Sequence, residues 1–74
     1  MQVTVKLFAT LRQGRFKSAE QEYPVGTTVK DVVDKLSIPY SELGVLFLNG
    51  KHTELDVVLG ENDTLSIFPP VGGG

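Results

Sequence analysis

Val3, Val5 and Leu7 alternate with Gln2, Thr4 and Lys6, the period-two pattern of a strand with one buried face. From Ala9 to Ser18 the alternation is lost. Gly14 and the polar or basic Arg12, Gln13, Arg15 and Lys17 mark a loop, with a single helical turn expected over Thr10 to Gln13. Glu20 to Val25 reads as a second strand, hairpinned to the first and closed at Tyr23-Pro24. Val29, Val32, Val33 and Leu36 then fall at i, i+3, i+4 and i+7, one face of a helix. Thr28 is placed to cap it, with Asp31 three residues on as the reciprocal partner, and Pro39 stops it at or before Ile38.

Tyr40 to Leu43, closed by Gly44, predicts one short helical turn. Val45 to Leu48 is a continuous apolar run of the kind found in buried strands, and Asn49-Gly50 after it is a strong hairpin signal, returning through Lys51, His52 and Thr53. Leu55, Val57, Val58 and Leu59 supply apolar cover, Glu61-Asn62-Asp63 makes a polar turn, and Thr64 to Phe68 alternates again with Leu65 and Ile67 on one face. Two strands, a helix, a hairpin and a last strand predict an α+β domain: a mixed sheet of about four to five strands packed on one main helix.

The last strand runs into Phe68-Pro69-Pro70-Val71-Gly72-Gly73-Gly74. Both prolines fix φ and lack an N–H, so pairing cannot continue through them, and Phe68 before them is biased to extended geometry. The expected division is a domain over residues 1–68 and a flexible tail over 69–74. That tail can span at most roughly 20 Å. Gly72, Gly73 and Gly74 have no Cβ, so they can thread a channel too narrow for side chains. A terminal glycine carboxylate is also open to attack once activated. The alternative is a frayed end with no role.

Composition narrows the chemistry. With 74 residues, 41% hydrophobic and 22% charged, the chain suits one small globular domain with a thin core. There is no cysteine, hence no disulfide, no thiolate metal site and no side chain able to hold a thioester or persulfide. A net charge of −2 gives no basic footprint for nucleic acid. No apolar run is long enough for a membrane span, and no signal peptide is apparent, so a cytoplasmic protein is expected. His52, the only histidine, has no partner at a catalytic or metal-ligating spacing and reads as an exposed turn residue, and the carboxylates are spread over helix surface and turns. No metal site is expected. Arg12, Arg15 and Lys17 form a local positive cluster, read either as a solvated loop or as a docking patch for an acidic partner.

Leu7-Phe8-Ala9-Thr10-Leu11-Arg12, Asn49-Gly50, Leu59, Asp63 and the ending Phe68 to Gly74 together resemble the ubiquitin-like sulfur carriers of the MoaD/ThiS family, most of all the small subunit of molybdopterin synthase. The resemblance covers essentially the whole chain, and the ending is its specific part. It implies a β-grasp fold and a carrier, not a catalyst: an E1-like adenylating enzyme uses ATP and magnesium to adenylate the Gly74 carboxylate, and sulfur from a persulfide donor replaces AMP to give a thiocarboxylate. A partner then receives the sulfur, either the large subunit of molybdopterin synthase or another sulfur-accepting enzyme. No cofactor is held permanently. Gly73 and Gly74 match the family's terminal diglycine, while Gly72 stands where such carriers often have alanine or serine. Phe8, Arg12, Phe68, Pro69, Pro70 and Val71 are the expected partner-binding residues. A carrier of the thiamine or another sulfur pathway is an alternative, although thiamine-pathway carriers usually have an Asn-Gly element near the N-terminus, which is lacking here. Other expectations are a ubiquitin-like modifier joined through Gly74 to lysines of target proteins, and a non-covalent β-grasp interaction domain with an idle tail.

Overall fold

A computed structural model describes residues 1–71. Among these residues five strands, β1 (Gln2–Leu7), β2 (Ser18–Glu22), β3 (Leu46–Leu48), β4 (Lys51–His52) and β5 (Asp63–Ile67), form one sheet in the order β2-β1-β5-β3-β4, with a single α-helix, α1 (Val29–Lys35). β1 and β5 are parallel, from Val3 opposite Asp63 to Leu7 opposite Ile67, and the remaining pairs are antiparallel. The first and last strands therefore share the centre of the sheet. The mixed sheet on one helix matches the expected α+β class.

Alternation decides which face meets the helix. Val3, Val5, Leu7, Leu46, Leu65 and Ile67 are buried in one cluster with Val29, Val32 and Val33 of α1. Gln2, Thr4 and Lys6 point to the other face, which no helix covers.

The capping box is present in both directions. Asp31 N–H donates to Thr28 Oγ1 at 3.2 Å and Thr28 N–H to Asp31 Oδ2 at 2.9 Å. At the other end Arg15 donates to the carbonyls of Leu36 (3.2 Å) and Ser37 (3.1 Å), supplying charge and donors where a helix leaves its last carbonyls unpaired. Asn49, at φ 53°, and Gly50, at φ 82°, make the positive-φ hairpin that Asn-Gly favours.

Three expectations need correction. The second strand is Ser18–Glu22, and Val25 lies outside it, 91% exposed; Pro24 cannot donate to a ladder and the chain turns there. The third strand is Leu46–Leu48, of which only Leu46 is buried. Opposite Ser66, Phe47 sits on the uncovered face. The helical turn near the start is a 3-10 turn over Ala9–Arg12.

Candidate functional site

The site is the end of β5 and what surrounds it. Past Ile67, Phe68 is still held on one side by its N–H to the Val45 carbonyl (3.0 Å), while its own carbonyl accepts from Gly44 N–H at 2.7 Å. On the other side Phe8 N–H donates to the Ile67 carbonyl at 3.2 Å. Pro69 has no N–H to continue this pairing. It is half-buried, whereas Pro70 is exposed and Val71 is 89% exposed.

Around that exit the uncovered sheet face becomes aromatic. The Phe8 and Phe68 rings are parallel, with an interplanar angle of 8° and centroids 4.0 Å apart, and Phe47 meets Phe68 edge-on at 5.7 Å. The edge-on arrangement suits the ring quadrupole and adds roughly 0.5–1.5 kcal/mol beyond area burial. The Arg12 guanidinium lies 5.4 Å from the Phe8 centroid. Ala9 takes φ 53°, a left-handed conformation costing an alanine about 1–2 kcal/mol, and the turn it starts brings Arg12 back over that ring. Arg12 Nε donates to the Leu7 carbonyl at 2.8 Å, which fixes the guanidinium and leaves its terminal nitrogens to the surface.

Arg12 lines a groove of about 290 Å³ together with Lys6, Phe8, Lys17 and Ser18. It has three cations and no carboxylate. The positive cluster expected from the sequence is thus divided: Arg12 and Lys17 line the groove, Lys6 joins them from β1, and Arg15 is committed to α1 and to the Leu11 carbonyl.

The wall on the other side is the connector between α1 and β3. Asp34 accepts from Lys30 Nζ and from the Tyr40 hydroxyl, each at 2.9 Å, and Lys30 foremost, then Tyr40, holds the Asp34 carboxyl below its ordinary range. This pins the 3-10 turn Tyr40–Glu42 to the helix. Leu43 and Gly44 then run past Phe68 and Pro69. His52 lies edge-on to Phe47, with centroids 6.5 Å apart, and among the described residues no cluster of His, Cys, Asp or Glu could hold a metal.

Of the residues singled out from sequence, Phe8, Arg12, Phe68 and Pro69 meet around the exit, and Pro70 and Val71 lead away from it. Gly72, Gly73 and Gly74 lie outside the described residues. Sequence reasoning missed Phe47, Lys6 and Gly44 as parts of this region. Strand parity could have found the first two: Lys6 is in step with Phe8, and Phe47 is out of step with the buried Leu46. No helix among the described residues is long and apolar enough to cross a membrane.

A mixed five-stranded sheet packed on one helix, its last strand central, is the β-grasp arrangement of the ubiquitin-like proteins. Residues 5–74 match the family model described as ThiS family. The chain belongs to the ThiS family. Among solved structures it is similar to the putative molybdopterin converting factor subunit 1 from Pyrococcus furiosus, at 29% identity and a TM-score of 0.77, with 96% of this chain and 99% of that one covered. It is also similar to SAMP1 from Haloferax volcanii, at 26% identity and a TM-score of 0.79 with 100% of both chains covered. A chain in the complex of subunits 1 and 2 of the molybdopterin-converting factor from Helicobacter pylori shares the fold, at 21% identity, a TM-score of 0.69 and 100% coverage of both chains. A comparison with curated proteins gives no match.

Proposed function

We propose that the protein is a non-catalytic sulfur carrier of molybdopterin biosynthesis whose working group is the Gly74 carboxylate. An E1-like enzyme joins that carboxylate to AMP from ATP with magnesium, releasing pyrophosphate. The terminal sulfur of a persulfide donor attacks the acyl carbon and AMP leaves; a further thiol of the donor then cleaves the resulting S–S bond, freeing the thiocarboxylate. That group is delivered in the active site of a partner, the large subunit of molybdopterin synthase.

The observation that carries this reading is the position of β5. A central strand, hydrogen-bonded on both sides to its last residues, leads directly into an exposed Pro70-Val71 segment, so the tail has a rigid base. The aromatic patch of Phe8, Phe47 and Phe68 offers anchors of the kind that dominate interface energetics. Lys6, Arg12 and Lys17 beside it would steer a partner with carboxylates at the matching place. Likeness to a molybdopterin converting factor subunit 1 supports the choice of pathway. Likeness to SAMP1, a small archaeal modifier protein, favours a second reading in which the activated Gly74 is passed to lysines of other proteins.

Intact-mass spectrometry after incubation with a cognate E1-like enzyme, ATP, magnesium and a persulfide donor tests the proposal. One oxygen replaced by sulfur is expected, and deletion of Gly73 and Gly74 abolishes the change while altering stability by less than about 0.5 kcal/mol. Conjugates on lysines with no sulfur gain would overturn it in favour of the modifier.

A further inference from the structure

Gly44 lies so close to the exit of the tail that it has no room for a side chain. A Cβ built on it would overlap the Pro69 carbonyl oxygen and stand 2.5 Å from the Pro69 carbonyl carbon and 2.7 Å from the Pro70 nitrogen. All three are main-chain atoms, so no side chain can swing aside to admit it. Positive φ is not the reason for this glycine, unlike Gly14, Gly26 and Gly50, whose new Cβ atoms would meet nothing within 4 Å.

We propose that Gly44 is a positioning residue, which sets the direction in which Pro69 and Pro70 leave the sheet and hence where the tail's end is presented. Two fixed points give the connector its stiffness. Tyr40 is tied to α1 through Asp34, and Gly44 N–H binds the Phe68 carbonyl at 2.7 Å. The prolines transmit the direction because their φ is locked. A change of angle at Pro69 is therefore carried outward along the stalk. Displacement of a reacting group by about 1 Å can cost on the order of 10²-fold in rate, and any side chain at position 44 forces a main-chain shift of that order.

The inference rests on the proposed role of Gly74, and its test has two arms. Gly44→Ala is compared with wild type and with Gly60→Ala, whose new Cβ meets nothing nearer than Asp63 Oδ2 at 3.5 Å. In the first arm, Cα–Hα residual dipolar couplings report the orientation of Pro69, Pro70 and Val71 against the core strands. Gly44→Ala should reorient these three, with some loss of thermal stability from the forced shift, while the domain stays folded and Val3, Val5 and Leu65 keep their couplings; Gly60→Ala should move none of them. In the second arm, ATP–pyrophosphate exchange with the cognate E1-like enzyme should show kcat reduced about 10- to 100-fold for Gly44→Ala, with KM within about twofold because the docking patch is intact.

Unchanged couplings at Pro69 to Val71 would overturn the inference, as would unchanged kcat on an enzyme that activates wild type, and the carrier reading would survive both. A fall in stability together with a raised KM would show an ordinary structural role and overturn it too. Failure of the enzyme to activate wild type would count against the carrier reading, with the first arm still deciding whether Gly44 directs the tail.

Discussion

The two faces of the sheet are built from different residues, and the proposed function gives them different ends. On the helix side the central strands present Val3, Val5, Leu7, Leu65 and Ile67, all fully buried in one cluster with α1. On the uncovered side Thr4, Lys6, Thr64 and Ser66 give way, at one end only, to Phe8, Phe47 and Phe68, each half-buried. A core needs filled volume; a docking surface needs large rigid side chains that remain in reach. Aliphatics meet the first demand and aromatics the second.

The sharpest way to break this contrast is to truncate one residue on each face. Leu65→Ala leaves a cavity beneath α1 and should cost about 2–5 kcal/mol, read as a lower urea midpoint. A domain of this size has little to spare, so partial unfolding at room temperature is the expected outcome. Phe68→Ala removes the ring that both Phe8 and Phe47 contact. It should weaken binding to the activating enzyme by more than about 2 kcal/mol, measured by calorimetry, yet destabilise the isolated protein less than Leu65→Ala does. An equal loss on both measures would mean that the aromatic end belongs to the core. Arg15→Ala tests the split of the cationic loop. Loss of its bonds to the Leu36 and Ser37 carbonyls should lower stability by about 1 kcal/mol and leave association with the enzyme unchanged, as measured by the salt dependence of its on-rate.

Much of this was legible because each element carried its own signal. The β1 alternation, the Thr28 and Asp31 capping box and the Asn49-Gly50 hairpin depend on neighbours in sequence, and all are found. The proline stop was equally local. What could not be read depends on pairs far apart in the chain. Nothing near Arg15 indicates that it will reach the end of a helix some twenty residues on. Gly44 carries no mark of Pro69, because the contact exists only once β3 and β5 have paired. Val45 to Leu48 misled for a related reason: four apolar residues in a row hide which of them faces away, and only the register opposite Ser66 reveals Phe47.

The parallel pairing of β1 with β5 has a consequence for the making of the protein. Val3 finds its partner at Asp63, so the strand that bears the working end must close a loop spanning most of the chain, the slowest kind of contact to form. Closure of that loop also completes the aliphatic cluster under α1. Presentation of the tail and completion of folding are thus one event, and a half-made copy has no correctly seated end to offer. On the proposed role, an activating enzyme that gripped the tail and its aromatic base together would inspect the finish of each molecule before committing ATP to it.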